Sequence, residues 1–202
     1  MFHTPVEPRI RISPSVDRLM AFVGKPLPFP ADMDLCREQV PAAVDCEALR
    51  FAAEARRSPS RHAFRPAFTA ADWRTFSSFC IVRRLPAGYR VLIPGRADRT
   101  LSFVVEGSLW QESAASTRAA SSQPKLLLPG TMLGEDALFS DGPGELDVRT
   151  LEDSLVLELS HPRQKELTAA CPAIAFELLR AAGAVIAARG RTSERRAEPA
   201  MS

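Results

Sequence analysis

Between Cys80 and Leu159 the chain breaks into short apolar runs that recur roughly every ten residues, with Gly- or Pro-containing turns between them. Cys80-Ile81-Val82 leads to Leu85, and Pro86-Ala87-Gly88-Tyr89 reads as a turn. Arg90 to Ile93 follows, then a second turn at Pro94-Gly95. Leu101 to Val105 is the strongest strand, closed by Glu106-Gly107 and continued by Ser108-Leu109-Trp110. Lys125 to Leu128 is the next run. Val148 to Leu151 and Leu155 to Leu159 alternate and read as a closing hairpin turning at Glu152-Asp153. Strands this short and this regularly punctuated point to a β-sandwich or barrel.

Helices flank the strands. Thr69 is a good N-cap for a helix carrying Trp73 and Phe76. After the strands, Ser160 caps a short helix with Pro162 early in it, and Pro172 starts a longer one. Ile174, Leu178, Ala181, Val185 and Ile186 give that helix an apolar stripe, and Gly183 inside it is expected to mark a close contact. Residues 112–124 form a low-complexity hairpin loop. The end is charged from Arg189 and interrupted by proline, and 191–202 is read as a disordered tail.

Residues 1–65 differ in texture. Pro5, Pro8, Pro14, Pro26, Pro28 and Pro30 exclude long helices and favour extended chain. Two short helices fit, one carrying Val16, Leu19, Met20 and Val23, the other Val44, Leu49, Phe51 and Ala52. Ser58-Pro59-Ser60 reads as a linker, and 1–68 shows no strong strand pattern. This arm is too apolar for a simple tail, so it packs on the following domain or docks on another protein.

Composition narrows the chemistry. The chain has 202 residues with a net charge of +2, so nothing global calls for nucleic acid or a membrane surface. No apolar run approaches the roughly 20 residues of a membrane span, and no signal-peptide pattern opens the chain. Cys36, Cys46, Cys80 and Cys171 are scattered, and His3, His62 and His161 are isolated. A zinc site or a His-based triad finds poor material here, and reduced thiols in a cytoplasmic protein are the expectation. No nucleophile–base set and no Gly-rich phosphate loop followed by lysine is present, so the chain reads as non-enzymatic, without catalytic or metal residues.

Pro129 to Val148 carries the chemistry that remains, with glycines at 130, 134, 142 and 144 and several acids. Gly134 permits positive φ or a close backbone approach. The amides after it can point at a ligand, as in anion-binding nests, beside the carboxylate of Glu135. The competing use is a long β-connection with Gly-rich turns.

In order along the chain, Leu85-Pro86-Ala87-Gly88, Ile93-Pro94-Gly95, Ser102 to Leu109 and Leu128 to Leu138 together resemble the cyclic nucleotide-binding domain, the sensor domain of Crp-like regulators, over about 66–190. The resemblance implies a mainly β fold with flanking helices, an eight-stranded β-roll of jelly-roll type, with the Pro-rich arm 1–65 before it and 191–202 after it. In such domains the glutamate accepts a bond from the ribose 2′-hydroxyl and cassette amides hold the cyclic phosphate. An arginine after a proline neutralises that phosphate, and the long C-terminal helix closes over the base. Here Gly134, Glu135 and Pro143 stand in place, but the arginine position is Gly144 and the next is Glu145. Losing a hydrogen-bonded partner of a buried charge costs about 2–5 kcal/mol, roughly 30- to several-thousand-fold in affinity. Glu145 and Asp147 would add repulsion if they face inward. Arg149 is expected to face solvent opposite Val148, and Arg96 and Arg99 lie on another turn.

The site is therefore read as a vestigial or variant pocket of Gly134, Glu135, Asp136, Ala137, Gly144 and Glu145, with Glu135 capping the amides of the cassette helix. The function expected is a stand-alone regulatory or interaction subunit with no cofactor; the alternative is a cyclic AMP or cyclic GMP sensor with a variant pocket. A protein partner is expected through the arm or the C-terminal helix, with a homodimer through 172–189 competing against packing of that helix on its own domain. DNA binding is not expected, because no DNA-reading helix fits after the long one.

Overall fold

The computed structural model describes residues 39–40, 50, 63–96, 99–113 and 125–197. The arm helices, the loop 114–124, the residues after 197, Cys36, Cys46, His3 and His62 lie outside the described residues.

Among the described residues, nine strands form two antiparallel sheets. In chain order they are β1 (Gln39–Val40), β2 (Ile81–Leu85), β3 (Arg90–Leu92), β4 (Leu101–Glu106), β5 (Leu109–Ser113), β6 (Lys125–Leu127), β7 (Met132–Leu133), β8 (Leu146–Thr150) and β9 (Ser154–Leu159). One sheet has the order β1-β2-β9-β4-β7 and the other β3-β8-β5-β6. Helix α1 (Ala70–Ser78) precedes β2, and α2 (His161–Ala170) and α3 (Pro172–Ala197) follow β9.

The turns between consecutive strands do more than reverse the chain. β2 and β3, β4 and β5, and β8 and β9 each fall in opposite sheets. The pair read from sequence as a closing hairpin, β8 and β9, is therefore a corner between sheets rather than a hairpin. The β4–β5 corner requires glycine at Gly107. Its φ is +81°, and a Cβ there would meet the Ser154 Oγ at 2.4 Å.

β4 is buried along five consecutive residues, because both of its faces are covered. Leu101, Phe103 and Val105 pack with β9, α1, α2 and α3 in the larger core, while Val104 turns the other way, toward Leu109, Leu127, Leu133 and Val148 between the sheets. α1 begins with a reciprocal capping box: the Asp72 N–H donates to Thr69 Oγ1 at 3.2 Å, and the Thr69 N–H donates to Asp72 Oδ2 at 2.8 Å.

Three sequence expectations need correction. The arm contributes a strand, since Gln39 pairs with Arg83 and Val40 with Val82; two residues are too few to show a period. Ala63 and Phe64, assigned to the arm, are part of the roll. Ala63 bridges to Thr131, the Phe64 N–H donates to Gly130 O at 2.8 Å, and the Phe64 ring is fully buried. Lastly, α3 continues to Ala197, so 191–197 are helical rather than a disordered tail.

The apolar stripe of α3 is spent on its own domain: Ile174, Leu178, Ala181 and Val185 are all buried in the larger core. That favours packing on the domain over a homodimer made by this stripe. Gly183 marks no close contact, because a Cβ there would meet nothing within 4 Å. Gly183→Ala is therefore expected to stabilise the protein by about 0.5–1 kcal/mol, as helix propensity dictates. Chemical denaturation measures it, and a loss of stability would show that the position is packed after all.

Candidate functional site

Gly134 sits at φ +79° and caps a single turn of 3₁₀ helix, Glu135–Leu138. A Cβ at Gly134 would lie 2.4 Å from the Thr100 carbonyl oxygen just before β4. Both the backbone conformation and the close approach therefore require glycine. This turn places Gly134, Glu135, Asp136 and Ala137 together. The Ala137 N–H is used within the turn, donating to Gly134 O at 3.1 Å.

Glu135 does not cap this helix, which has no side-chain capping bond. The residue is fully buried, and its Oε1 accepts from the Nη1 of Arg189 on α3. The Nη2 of Arg189 donates to the Met132 carbonyl at 3.3 Å. Glu135 Oε2 is buried without a hydrogen-bond partner. Removal from water pushes the Glu135 carboxyl above the usual carboxylate range; Arg189 pulls it back, Asp136 adds to the rise, and the net shift is upward.

The other half of the predicted site lies at the surface. Gly144 and Glu145 are exposed, and a Cβ on Gly144 would meet nothing within 4 Å. Their segment is tied to the β3–β4 turn by the Gly95 N–H, which donates to Gly144 O at 2.9 Å. The repulsion considered from sequence is absent: Glu145 faces solvent, and Asp147 is paired with Arg90 at 2.6 Å and Arg149 at 2.9 Å. Strand alternation explains the second point, since Val148 is buried between the sheets and its neighbours Asp147 and Arg149 share the opposite face. Arg99 pairs with Asp141, and Arg96 is exposed. Among the described residues, no group of three or more His, Cys, Asp or Glu could hold a metal ion.

Asp147 and Glu135 respond to acid with opposite sign. Burial raises Asp147, but the bonds from Arg149 and Arg90 outweigh it and hold its carboxyl below the usual range. Its contribution to stability is present above the unfolded value of about 3.9 and is lost as pH falls through the lower folded value. Glu135 is raised, so its contribution is full below the unfolded value of about 4.3 and is lost as pH rises through the higher folded value. In urea unfolding followed against pH, Asp147→Asn is expected to flatten the loss below about pH 4, and Glu135→Gln to remove the gain that precedes it on acidification. A wild-type acid limb in Asp147→Asn would contradict the assignment.

Arg189 is the residue that the sequence reading missed, by placing it at the start of a charged tail. A signal was available. The buried positions 178, 181 and 185 advance by three and four residues, and 189 is the next position on the same helical face.

Neither a protein-family model nor a curated protein matches this chain. Solved structures do. A cyclic nucleotide-binding domain from Methylobacillus flagellatus KT superposes with a TM-score of 0.61 at 15% identity, over 75% of this chain and 82% of that one. The Thermus thermophilus catabolite activator protein gives 0.53 at 22% identity, over 64% of this chain and 59% of that one. The N-terminal domain of a transcriptional regulator from Streptomyces coelicolor A3(2) gives 0.50 at 21% identity, over 67% and 90%. The fold is that of the cyclic nucleotide-binding domain. Within it, the two sheets form the β-roll. No helix among the described residues is long and apolar enough to cross a membrane.

Proposed function

We propose that this is a non-catalytic regulatory or protein-interaction domain that keeps the cyclic nucleotide-binding fold without binding cyclic nucleotide in the usual way. The observation that carries the reading is the buried pairing of Glu135 with Arg189. The carboxylate that would meet a ribose hydroxyl is already engaged by the protein's own helix. The phosphate side supports the same reading. Gly144 supplies no charge, Arg90 and Arg149 are committed to Asp147, and Arg99 is committed to Asp141. An anion held there without a counter-charge costs several kcal/mol even after relaxation. No cofactor is part of this reading.

The partner is a protein, engaged by the arm or by the outer side of α3, where Phe176 is 69% exposed and Leu179 38% exposed. A pull-down comparing the whole chain with one beginning at residue 63 tests the arm; beginning at Arg65 would remove Phe64 from the core. Partners captured by the whole chain and lost on truncation support docking through the arm, and identical capture removes it. A homodimer through the outer side of α3 predicts that Phe176→Glu halves the mass seen by light scattering, whereas a monomeric wild type excludes it.

One observation favours a second reading, a ligand sensor with a variant pocket. Glu135 Oε2 is a buried acceptor without a partner, and a ligand hydroxyl that reached it would satisfy it.

A further inference from the structure

β2 is paired unequally on its two sides. β9 pairs with all of it, from Ile81 to Leu85, whereas β1 pairs only with Val82 and Arg83. Successive residues of an antiparallel strand bond alternately to one neighbour and the other, so part of the β2 edge is left over. The two arginines of this strand differ as well. Arg83 is committed to Glu158 at 2.7 Å and to the Tyr89 hydroxyl at 2.8 Å. Arg84 is exposed, and no described residue forms an ion pair with it. Gln39 opposite Arg83 and Val40 opposite Val82 fix the register. Continued by one residue, that register sets Glu38 against Arg84. A slip of one residue would set Arg37 there, like charge against like, or Gln39, with no charge at all. In the other direction Pro41 falls opposite Ile81 and has no N–H to donate. That accounts for the end of β1 at Val40 and for the exposure of Ile81.

We propose that the edge of β2 is a strand-docking site whose occupant is the arm of the same chain, with segment 37–40 paired along β2 and Glu38 facing Arg84. Main-chain bonds hold the arm to its own domain, and one cross-strand ion pair selects the register. Proline ends the ladder, one of the ways in which sheet edges are kept from growing. Residues 41–62 then lead from this strand to Ala63, which bridges to Thr131, so the arm is held to the roll at two places. A partner that engages the arm is left the residues before 37 and the outer side of β1. The proposal goes beyond the functional reading above and is independent of it, since it involves neither Glu135 nor any nucleotide.

Hydrogen exchange of the whole chain, read by mass spectrometry over 80–86, tests this. Glu38→Arg and Arg84→Glu are each expected to speed the β2 amides that do not bond to β9 by about two- to fivefold, the worth of an opposite-charge cross-strand pair. The double variant Glu38→Arg/Arg84→Glu is expected to restore the wild-type rate. Wild-type exchange in both single variants, or additive increases in the double one, overturns the proposal. Gln39→Pro/Val40→Pro removes the strand's donors and is expected to speed the same amides about tenfold or more, while β4 keeps its wild-type rates. A synthetic peptide of residues 34–41 added to that variant should slow them again, and no slowing up to millimolar peptide counts against the docking site. Should Arg84→Glu fail to fold, Glu38→Arg and the peptide experiment decide in its place. Light scattering assigns the source of the strand. A monomeric wild type places it in the same chain, and a wild-type dimer that Gln39→Pro/Val40→Pro converts to monomer places it in a second copy and overturns the proposal. Micromolar binding of cyclic AMP to the wild type would defeat the functional reading and leave this one standing.

Discussion

Replacing Phe64 by alanine is expected to lower the unfolding free energy by about 3–5 kcal/mol, the range for a fully buried aromatic ring. The ring lies 4.8 Å from Phe103 and 6.0 Å from both Trp73 and Phe76, centroid to centroid, so it joins α1 to β4. The backbone contacts of the same segment, the Ala63–Thr131 bridge and the Phe64 N–H to Gly130 O, survive the substitution. The loss is therefore one of side-chain packing and cavity, with little opportunity for collapse among rigid rings. At about 2–4 °C per kcal/mol for a chain of this size, the midpoint should fall by on the order of 10 °C. Urea unfolding with an unchanged m-value checks it. A cost under about 1 kcal/mol would mean that Phe64 belongs to the arm and not to the core.

Gly134→Ala is the second large effect, expected at about 2–4 kcal/mol. Two terms add. A non-glycine residue at φ +79° costs roughly 1–2 kcal/mol, and the new Cβ, 2.4 Å from the Thr100 carbonyl oxygen, must push apart two backbone segments. Gly95→Ala separates these terms. Gly95 has φ +78° with nothing within 4 Å of an added Cβ, so it carries the conformational cost alone. The difference between the two variants in urea unfolding reads the clash. Equal costs would show that Thr100 moves away freely and that the close approach is not a constraint.

Much of the roll was legible in the sequence, for a physical reason. Turns that need positive φ leave glycines at fixed places, and Gly88, Gly95, Gly107, Gly130 and Gly134 all adopt it. Which strands pair was not legible. Alternation tells which side of a strand is covered, not which sheet covers it, so β8 and β9 read as a hairpin while lying in opposite sheets. Phe64 was lost to the arm because one buried aromatic between the Ser58-Pro59-Ser60 linker and Pro66 carries no period. The candidate site was half legible. Glu135 announced itself by the glycine before it and by its distance from any neutralising charge in sequence. Its partner did not, because an ion pair across 54 residues has no local signature and the charge of Arg189 resembles that of the tail behind it.

The central claim is that this cassette has exchanged a cyclic nucleotide for a side chain of its own protein. Isothermal titration of the wild type with cyclic AMP and with cyclic GMP tests it most directly. Without a phosphate counter-charge and with Glu135 engaged, the account predicts no saturable heat up to about millimolar ligand, a binding free energy weaker than about −4 kcal/mol. Micromolar binding that Glu135→Ala abolishes would contradict it, because the carboxylate would then be serving a nucleotide and not Arg189.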